Sequence, residues 1–403
     1  MSRRTRGSLI KPDQITIVHA VAKTARNLFL LGEDLVTKTH NSHRKDWILD
    51  ILEFQSSLMA IDLLGFSLLS NHVHQILRSR PDAVKEWTDL EVARRWMNLC
   101  PKSRKCLTVG DKVVRVPIPP KETQIQALAQ NPKKIAQLRE QLSSISWWMR
   151  LLCQKIAQRA NIEDGGSLGH FWKGRFHATV IEDNEYMLGC SFYVDLNAFK
   201  AGLAQGIDDY NYTSAKIRLD MLRAKMQASD KQEGPPLDPI PKVETQGDAS
   251  LLKSPENSEQ PDHPEHSKKL EKSKHKPETK EPPGLIPMTS KGEFLSVVKL
   301  DTLSNEVQLH KGGFRCSDKG FLGYTDKEYL DALEWCIRNK ILEREMKTLP
   351  EDTPMCIKQH RFGAEMIIKQ ARGFGQMYRY RTGREQKVEE EQECSKDGSP
   401  QSV

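Results

Sequence analysis

Two histidines one residue apart, His72 and His74, and a tyrosine followed four positions later by an asparagine, Tyr193 and Asn197, are the side chains of this sequence best suited to chemistry. On a strand, residues i and i+2 face the same side and lie roughly 6.6 Å apart along it. Two imidazoles so placed can converge on one cation while Val73 points into the core. The same triplet also reads as two satisfied histidines on a partly exposed strand. No Asp-His follows it, as a zinc hydrolase of the H-x-H-x-D-H type requires, so a two-zinc centre is not expected.

In Cys190–Asn197, helical spacing puts Tyr193 and Asn197 on one face, one turn apart, beside an apolar stripe of Leu188, Phe192 and Leu196. Tyr193 is thereby expected at the edge of a cleft. Gly189, one turn earlier, costs a helix about 1 kcal/mol relative to Ala, which is explained if the space beside the phenol must stay open for a substrate. Seen alone, the segment also reads as a half-buried tyrosine and a polar surface asparagine. Between the two motifs lies Gly169-His170-Phe171-Trp172-Lys173-Gly174-Arg175-Phe176, in which aromatic and cationic residues alternate. Trp172 could stack on unpaired bases while Lys173 and Arg175 hold phosphates, or the run could be an ordinary half-buried strand. Arg78 and Arg80 after the histidines, and Lys200 after the tyrosine, add positive charge if these elements pack together.

The elements that must position these groups alternate in period. Residues 15–21 and 27–31 read as strands, and 45–59, with Trp47, Ile48, Ile51, Leu52 and Phe54, as an amphipathic helix. Residues 61–70 and 71–78 follow so closely that they are expected to form an antiparallel pair. A helix is expected over 82–97, a loop at Pro117–Lys121, a long helix over 134–160, a strand over 170–181, and the tyrosine helix over 184–203, with Asp183 as its N-cap. Mixed strands and helices with antiparallel pairing make the class α+β.

The chain has 403 residues, of which 37% are hydrophobic and 7% aromatic, enough for a core but lean for one spanning the whole length. No Phe, Trp or Tyr occurs between Thr213 and Glu293, and 11 of the 21 prolines lie between Pro235 and Pro287. Such a stretch cannot bury enough apolar surface to offset its ordering entropy. The expected organisation is a catalytic body at 12–225, a disordered linker at 226–288, a helical accessory module at 289–384 and an acidic disordered tail at 385–403. In the module, residues 321–341 read as a helix, and 356–384 carry seven Lys/Arg against one acid, a basic unit that could touch DNA or stand free in solvent. A charged fraction of 29% and the lack of an apolar run near the ~20 residues of a spanning helix argue against a membrane protein. The basic N-terminus precedes no apolar stretch, and the eight cysteines are scattered, so a cytoplasmic protein with reduced thiols is expected. The net charge of +7 is compatible with an anionic partner.

Taken in order, these residues resemble the single-tyrosine HUH transposases, and within them the insertion-sequence-200-like and REP-associated tyrosine transposases. The resemblance is carried by Phe29-Leu30-Leu31-Gly32-Glu33-Asp34, by Ser70-Asn71-His72-Val73-His74 with Leu77-Arg78, and by Ala157-Gln158-Arg159-Ala160-Asn161. It continues in Phe171-Trp172-Lys173-Gly174-Arg175-Phe176 and in Tyr193-Val194-Asp195-Leu196-Asn197 with Ala201-Gly202, over about half the chain. It implies a ferredoxin-like antiparallel sheet with helices on one face, a divalent metal on His72 and His74 completed by Asn197, and Tyr193 as nucleophile. The chain departs from the family where Asn197-Ala198-Phe199-Lys200 replaces Asn-Pro-Val-Arg, and where Leu69-Ser70-Asn71 replaces Met-Pro-Asn or Met-Ser-Asn. Without the proline the helix can run past Asn197, and without the arginine a bidentate phosphate fork is lost, so weaker DNA affinity is expected.

The mechanism implied is metal-dependent cleavage of single-stranded or hairpin DNA. A phenol with a pKa of about 10 is a poor nucleophile at neutral pH unless the phosphate is polarised and the oxygen aligned. Mg²⁺ or Mn²⁺ would supply the polarisation. The resemblance implies a 5′-phosphotyrosine and a free 3′-hydroxyl, and reversal of the step joins new DNA ends. The protein could act as monomer or homodimer. Two rivals stay open: a domesticated, inactive binder of hairpin DNA, and a metal hydrolase that uses water.

Overall fold

The computed structural model describes residues 10–34, 38–109, 112–165, 169–183, 185–232, 292–299, 307–343, 348–378 and 380–382. Nearly all of the expected linker, and the acidic tail, lie outside them. Strand β1 (Ile17–Lys23) leads through the short ladder of β2 (Glu33–Asp34) and β3 (Thr39–His40) to helix α1 (Arg44–Leu58). The hairpin of β4 (Ile61–Leu68) and β5 (His72–Ser79) follows. Helices α2 (Pro81–Glu86) and α3 (Asp89–Leu99), the hairpin of β6 (Arg104–Val109) and β7 (Lys112–Pro117), and helices α4 (Glu122–Ala129), α5 (Pro132–Leu142) and α6 (Ile145–Glu163) come next. Strand β8 (His177–Ile181), helix α7 (Glu185–Asp195), the single turn α8 (Asn197–Lys200) and α9 (Ser214–Gln232) complete the N-terminal part. Helices α10 (Asp326–Arg338), α11 (Met355–Lys358) and α12 (Gly363–Met377) belong to the C-terminal part.

The central sheet has the order β4-β5-β1-β8, with every neighbouring pair antiparallel. The class is therefore α+β. Side-chain alternation divides the sheet into two faces. Val73 and Leu77 of β5, with Val18, Ala20 and Ala22 of β1, pack on one face against Ile48, Ile51 and Leu52 of α1 and Trp148, Leu152 and Ile156 of α6. Gln75 shares that face, where its Oε1 accepts from Trp148 Nε1 at 2.7 Å. His72, His74, Ile76 and Arg78 therefore look the other way.

That second face carries its own core, in which Ile76 joins Leu188 and Phe192 of α7, Tyr329 and Leu333 of α10, and Ile367 and Phe374 of α12. The expectation of helices on one face only is thus corrected. Each large apolar side chain moved from water contributes about 1.5–3 kcal/mol, and Ile76, Leu64 and Ile181 would lose that contribution on an open face. The C-terminal part carries α10 to α12 and shares both cores with the body: Phe294, Leu295 and Cys316 join the first, and α10 to α12 the second. It also covers the sheet edges. Val180 N–H donates to Tyr380 O at 2.7 Å and Val180 O accepts from Thr382 N–H at 2.9 Å, while Ser296 N–H donates to Leu63 O at 3.0 Å on the opposite edge. Unpaired strand groups are thereby satisfied.

Four elements differ from their sequence reading. Residues 27–31 are not a strand, because Arg26 and Asn27 take positive φ of 55° and 57° beside a short 3₁₀ turn. The long helix expected over 134–160 breaks at Ser143 and Ser144, where the Ser144 hydroxyl caps α6. Residues 82–97 likewise divide into α2 and α3, the second capped by Thr88. Of the strand expected over 170–181, only 177–181 is regular. Among the described residues no helix is long and apolar enough to cross a membrane.

Candidate active site

Helix α7 crosses the second face of the sheet so that its last turn stands over β5. With no proline after Asn197, helical bonding continues through the junction: Leu196 N–H donates to Phe192 O at 2.9 Å and Lys200 N–H to Leu196 O at 3.1 Å. Asn197 therefore stays one turn beyond Tyr193. The Tyr193 ring stands 5.5 Å from that of His74, at 87° to it. Asn197 Nδ2 donates to His74 Nε2 at 2.9 Å, and the same amide hydrogen-bonds the Tyr193 phenol. His72 adjoins His74 with ring centroids 4.7 Å apart, and its Nδ1 lies 2.6 Å from Asn71 Oδ1. The four positions singled out from the sequence are brought together.

A third imidazole completes the cluster. His19, on β1 and 1% exposed, places Nε2 at 2.9 Å from His74 Nδ1, with the two rings stacked at an interplanar angle of 6°. Its own Nδ1 is buried without a hydrogen-bond partner among the described residues. An unsatisfied buried group costs about 1–3 kcal/mol. The sequence reading placed His19 on a strand but gave it no role; the available signal was one imidazole inside an otherwise apolar run, Ile17-Val18-His19-Ala20-Val21.

Burial sets the electrostatics. It lowers His19 to about 3, helped by His177 and His72, and His72 to about 4, helped by Lys23. His74 also falls well below the ordinary histidine value, first through burial and then through His19 and His72. All three rings are neutral at pH 7 and keep a nitrogen lone pair. The Tyr193 phenol is pushed up by burial and by Cys190, against the hydrogen bond from Asn197. It is less ionised than a free phenol and gains reactivity only if its partner phosphate is activated.

Among the described residues no group of three or more His, Cys, Asp or Glu side chains is arranged to hold a metal ion. The candidate set consists of two imidazoles and an amide. Its donors are neutral, and the 2.9 Å between Asn197 and His74 is close to the spacing of adjacent ligands around a six-coordinate cation with bonds of about 2.1 Å. Half a turn of the amide presents Oδ1 in place of Nδ2. If these donors held a divalent cation, two nitrogens without a carboxylate would suit Mn²⁺ better than Mg²⁺.

The residues expected to touch DNA divide. Arg78 and Arg80 are 3% and 0% exposed, so their expected contact with DNA is corrected. Arg78 donates to Asp62 Oδ2 at 2.9 and 2.7 Å and to Gly320 O at 2.8 Å, while Arg80 pairs with Asp82 at 2.8 Å and Asp62 at 3.1 Å. Trp172 is also interior, with Nε1 donating to Cys153 O at 2.8 Å, and offers no stacking surface. Lys173, Arg175 and Lys200 are exposed. Lys200 Nζ sits 5.9 Å from the Tyr193 ring centroid and donates to the Arg372 carbonyl.

The C-terminal helix forms the remaining wall. The Phe374 ring lies 6.3 Å from Tyr193 and 6.0 Å from His19. Gly189 does not leave space for a substrate: a β-carbon there would come 1.9 Å from Gln370 Oε1, so this glycine serves the close approach of α7 and α12.

No family model matches the chain, and no curated protein does. Among solved structures, the chain is similar to a REP-associated tyrosine transposase bound to a REP hairpin, at 15% identity and a TM-score of 0.28, over 56% of this chain and 86% of that one. A likeness that distant adds nothing to the side-chain geometry.

Proposed function

We propose that this protein cleaves and rejoins DNA strands in the manner of a tyrosine transposase, with Tyr193 as nucleophile. The observation that carries the reading is the junction made by Asn197, which hydrogen-bonds both the Tyr193 phenol and His74, the latter 123 residues earlier in the sequence. The strand order, read as βαββαβ with both crossovers through helices, is that of a ferredoxin-like sheet and supports an HUH-type fold.

In this reading Asn197 orients the phenol over the histidine pair and Lys200 adds positive charge beside it. The Tyr193 oxygen forms a bond to phosphorus, the bond to the 3′-oxygen breaks, the phenolic proton is released and the leaving oxygen takes one up. A divalent cation held by His72, His74 and Asn197 would supply charge for the phosphoryl oxygens. Lys173 and Arg175, exposed before β8, would hold the backbone of a single strand or hairpin.

The test is incubation with labelled single-stranded and hairpin oligonucleotides in Mn²⁺, followed by a denaturing gel. A covalent adduct lost in Tyr193→Phe is expected. Full cleavage by that variant would mean that water is the nucleophile and would end the proposal. A second reading, a hairpin binder that no longer cuts, is favoured by the closeness of Phe374 and Gly375 to the phenol. Tight hairpin binding with no adduct on any oligonucleotide would select it.

A further inference from the structure

Three imidazoles, those of His19 and His74 buried and that of His72 half-buried, meet where the proposed reaction uses two. His19 projects from β1 onto the same face as His74, diagonally across the pairing in which Val21 opposes His74 and Ile76 opposes His19. The proton positions follow from Asn197. Its Nδ2 is a donor, so the nitrogen it approaches, His74 Nε2, must present a lone pair. The proton of neutral His74 is then on Nδ1, which faces His19 Nε2 at 2.9 Å. His19 accepts it, and carries its own proton on Nδ1, the atom that finds no partner.

We propose that His19 is a positioning residue that fixes His74 in its Nδ1–H tautomer, so that the Nε2 lone pair is aimed at the Asn197 end of the site. This rests on the reading of His74 as a metal donor. A ligating imidazole is oriented by the group its second nitrogen bonds, and losing that group typically weakens metal binding about 10–100-fold. A purely structural His19 explains the packing against Phe374 equally well but not the direction of the hydrogen bonds. An apolar residue would pack there without stranding a polar atom.

The experiment begins with metal-free full-length protein labelled with ¹⁵N-histidine. Long-range ¹H–¹⁵N spectra distinguish the two tautomers, and His74→Gln assigns the resonance. His74 is expected as Nδ1–H in the wild type, to shift toward Nε2–H in His19→Met, and to remain Nδ1–H in His19→Gln, whose amide oxygen can still accept. Calorimetric titration with Mn²⁺ should show affinity lower by roughly 10–100-fold in His19→Met and largely restored in His19→Gln. An Nε2–H His74 in the wild type overturns the proposal without any variant, even if His19→Met fails to fold. So does an unchanged tautomer or an unchanged Mn²⁺ affinity in His19→Met. None of these readouts uses DNA, so an absent adduct would end the proposed function while leaving the tautomer result intact.

Discussion

The Tyr193 hydroxyl lies against Gly375: a β-carbon added at that glycine would stand 3.1 Å from the phenolic oxygen. A wall beside the candidate nucleophile is thus supplied by α12, at a residue 182 positions later, as the difference of 375 and 193 gives.

Side chains at position 375 should therefore tune access rather than folding. Gly375 is exposed, and replacing it with Ala in a helix gains about 0.5–1 kcal/mol. Gly375→Leu is expected to slow adduct formation at least about tenfold, equivalent to about 1.4 kcal/mol of barrier. Gly375→Ala should slow it less, and hairpin affinity should change little in either. Adduct time courses beside equilibrium binding check this, and a Gly375→Leu protein that reacts at the wild-type rate would show that substrate approaches from another side.

Disturbing the close approach of α7 and α12 should be costly and recoverable. Gly189→Ala drives a β-carbon to 2.7 Å from Gln370 Cβ as well as into its amide, and overpacking of this kind costs about 1–3 kcal/mol. The penalty should shrink in a Gln370→Gly background, where both atoms are gone. Urea denaturation of the four proteins measures the coupling.

The cationic residues should separate into two classes. Arg80→Ala takes the guanidinium partner from Asp82, leaves Asp62 with Arg78 alone and empties a fully buried site, and is expected to destabilise by about 3–5 kcal/mol. Lys173→Ala and Arg175→Ala should stay within about 0.5 kcal/mol of wild type in stability. They should instead weaken oligonucleotide binding and lower its salt dependence by about one unit of slope for each phosphate no longer neutralised. Thermal melts and binding isotherms over a salt series distinguish these outcomes.

One lysine should leave a pH signature. Lys45 is 4% exposed and lies 5.1 Å from the rings of both Tyr210 and Tyr212. Burial lowers it to about 8, against the opposing charge of Asp46. Between pH 8 and the ordinary lysine value the unfolded chain binds the extra proton, so this residue's contribution to stability rises with pH, by up to about 1.4 kcal/mol per unit. The stability advantage of Lys45→Met over wild type should accordingly be largest below pH 8 and shrink as pH increases to 10.

The pairing of β4 with β5 and the facing of Tyr193 and Asn197 were legible in the sequence because each depends on local periodicity. His19 was not, because its role needs β1 to slot between β5 and β8, where its register partners Ile76 and Thr179 lie 57 and 160 positions away. Arg78 carries a signal of its burial in the sequence. The hairpin register sets it opposite Asp62, and an acid facing a base across two apolar paired strands points to a buried ion pair rather than a free cation. Gly189 was read as open space because the helix that fills it comes from the far end of the chain, and no period within α7 announces that neighbour.

The meeting at Asp62 also has a consequence for how the protein is made. Ser317, whose hydroxyl donates to both Asp62 oxygens at 2.9 Å, emerges from the ribosome 255 residues after that acid, and Gly320, which accepts from Arg78, a little later. At about 5–20 residues per second the nascent sheet waits roughly 13–50 s for these partners. Throughout that interval Asp62 lacks the Ser317 hydroxyl and Arg78 the Gly320 carbonyl, and the second face of the sheet lacks α10 to α12. Fragments ending before Ser317 should therefore accumulate as aggregates rather than as a smaller folded protein.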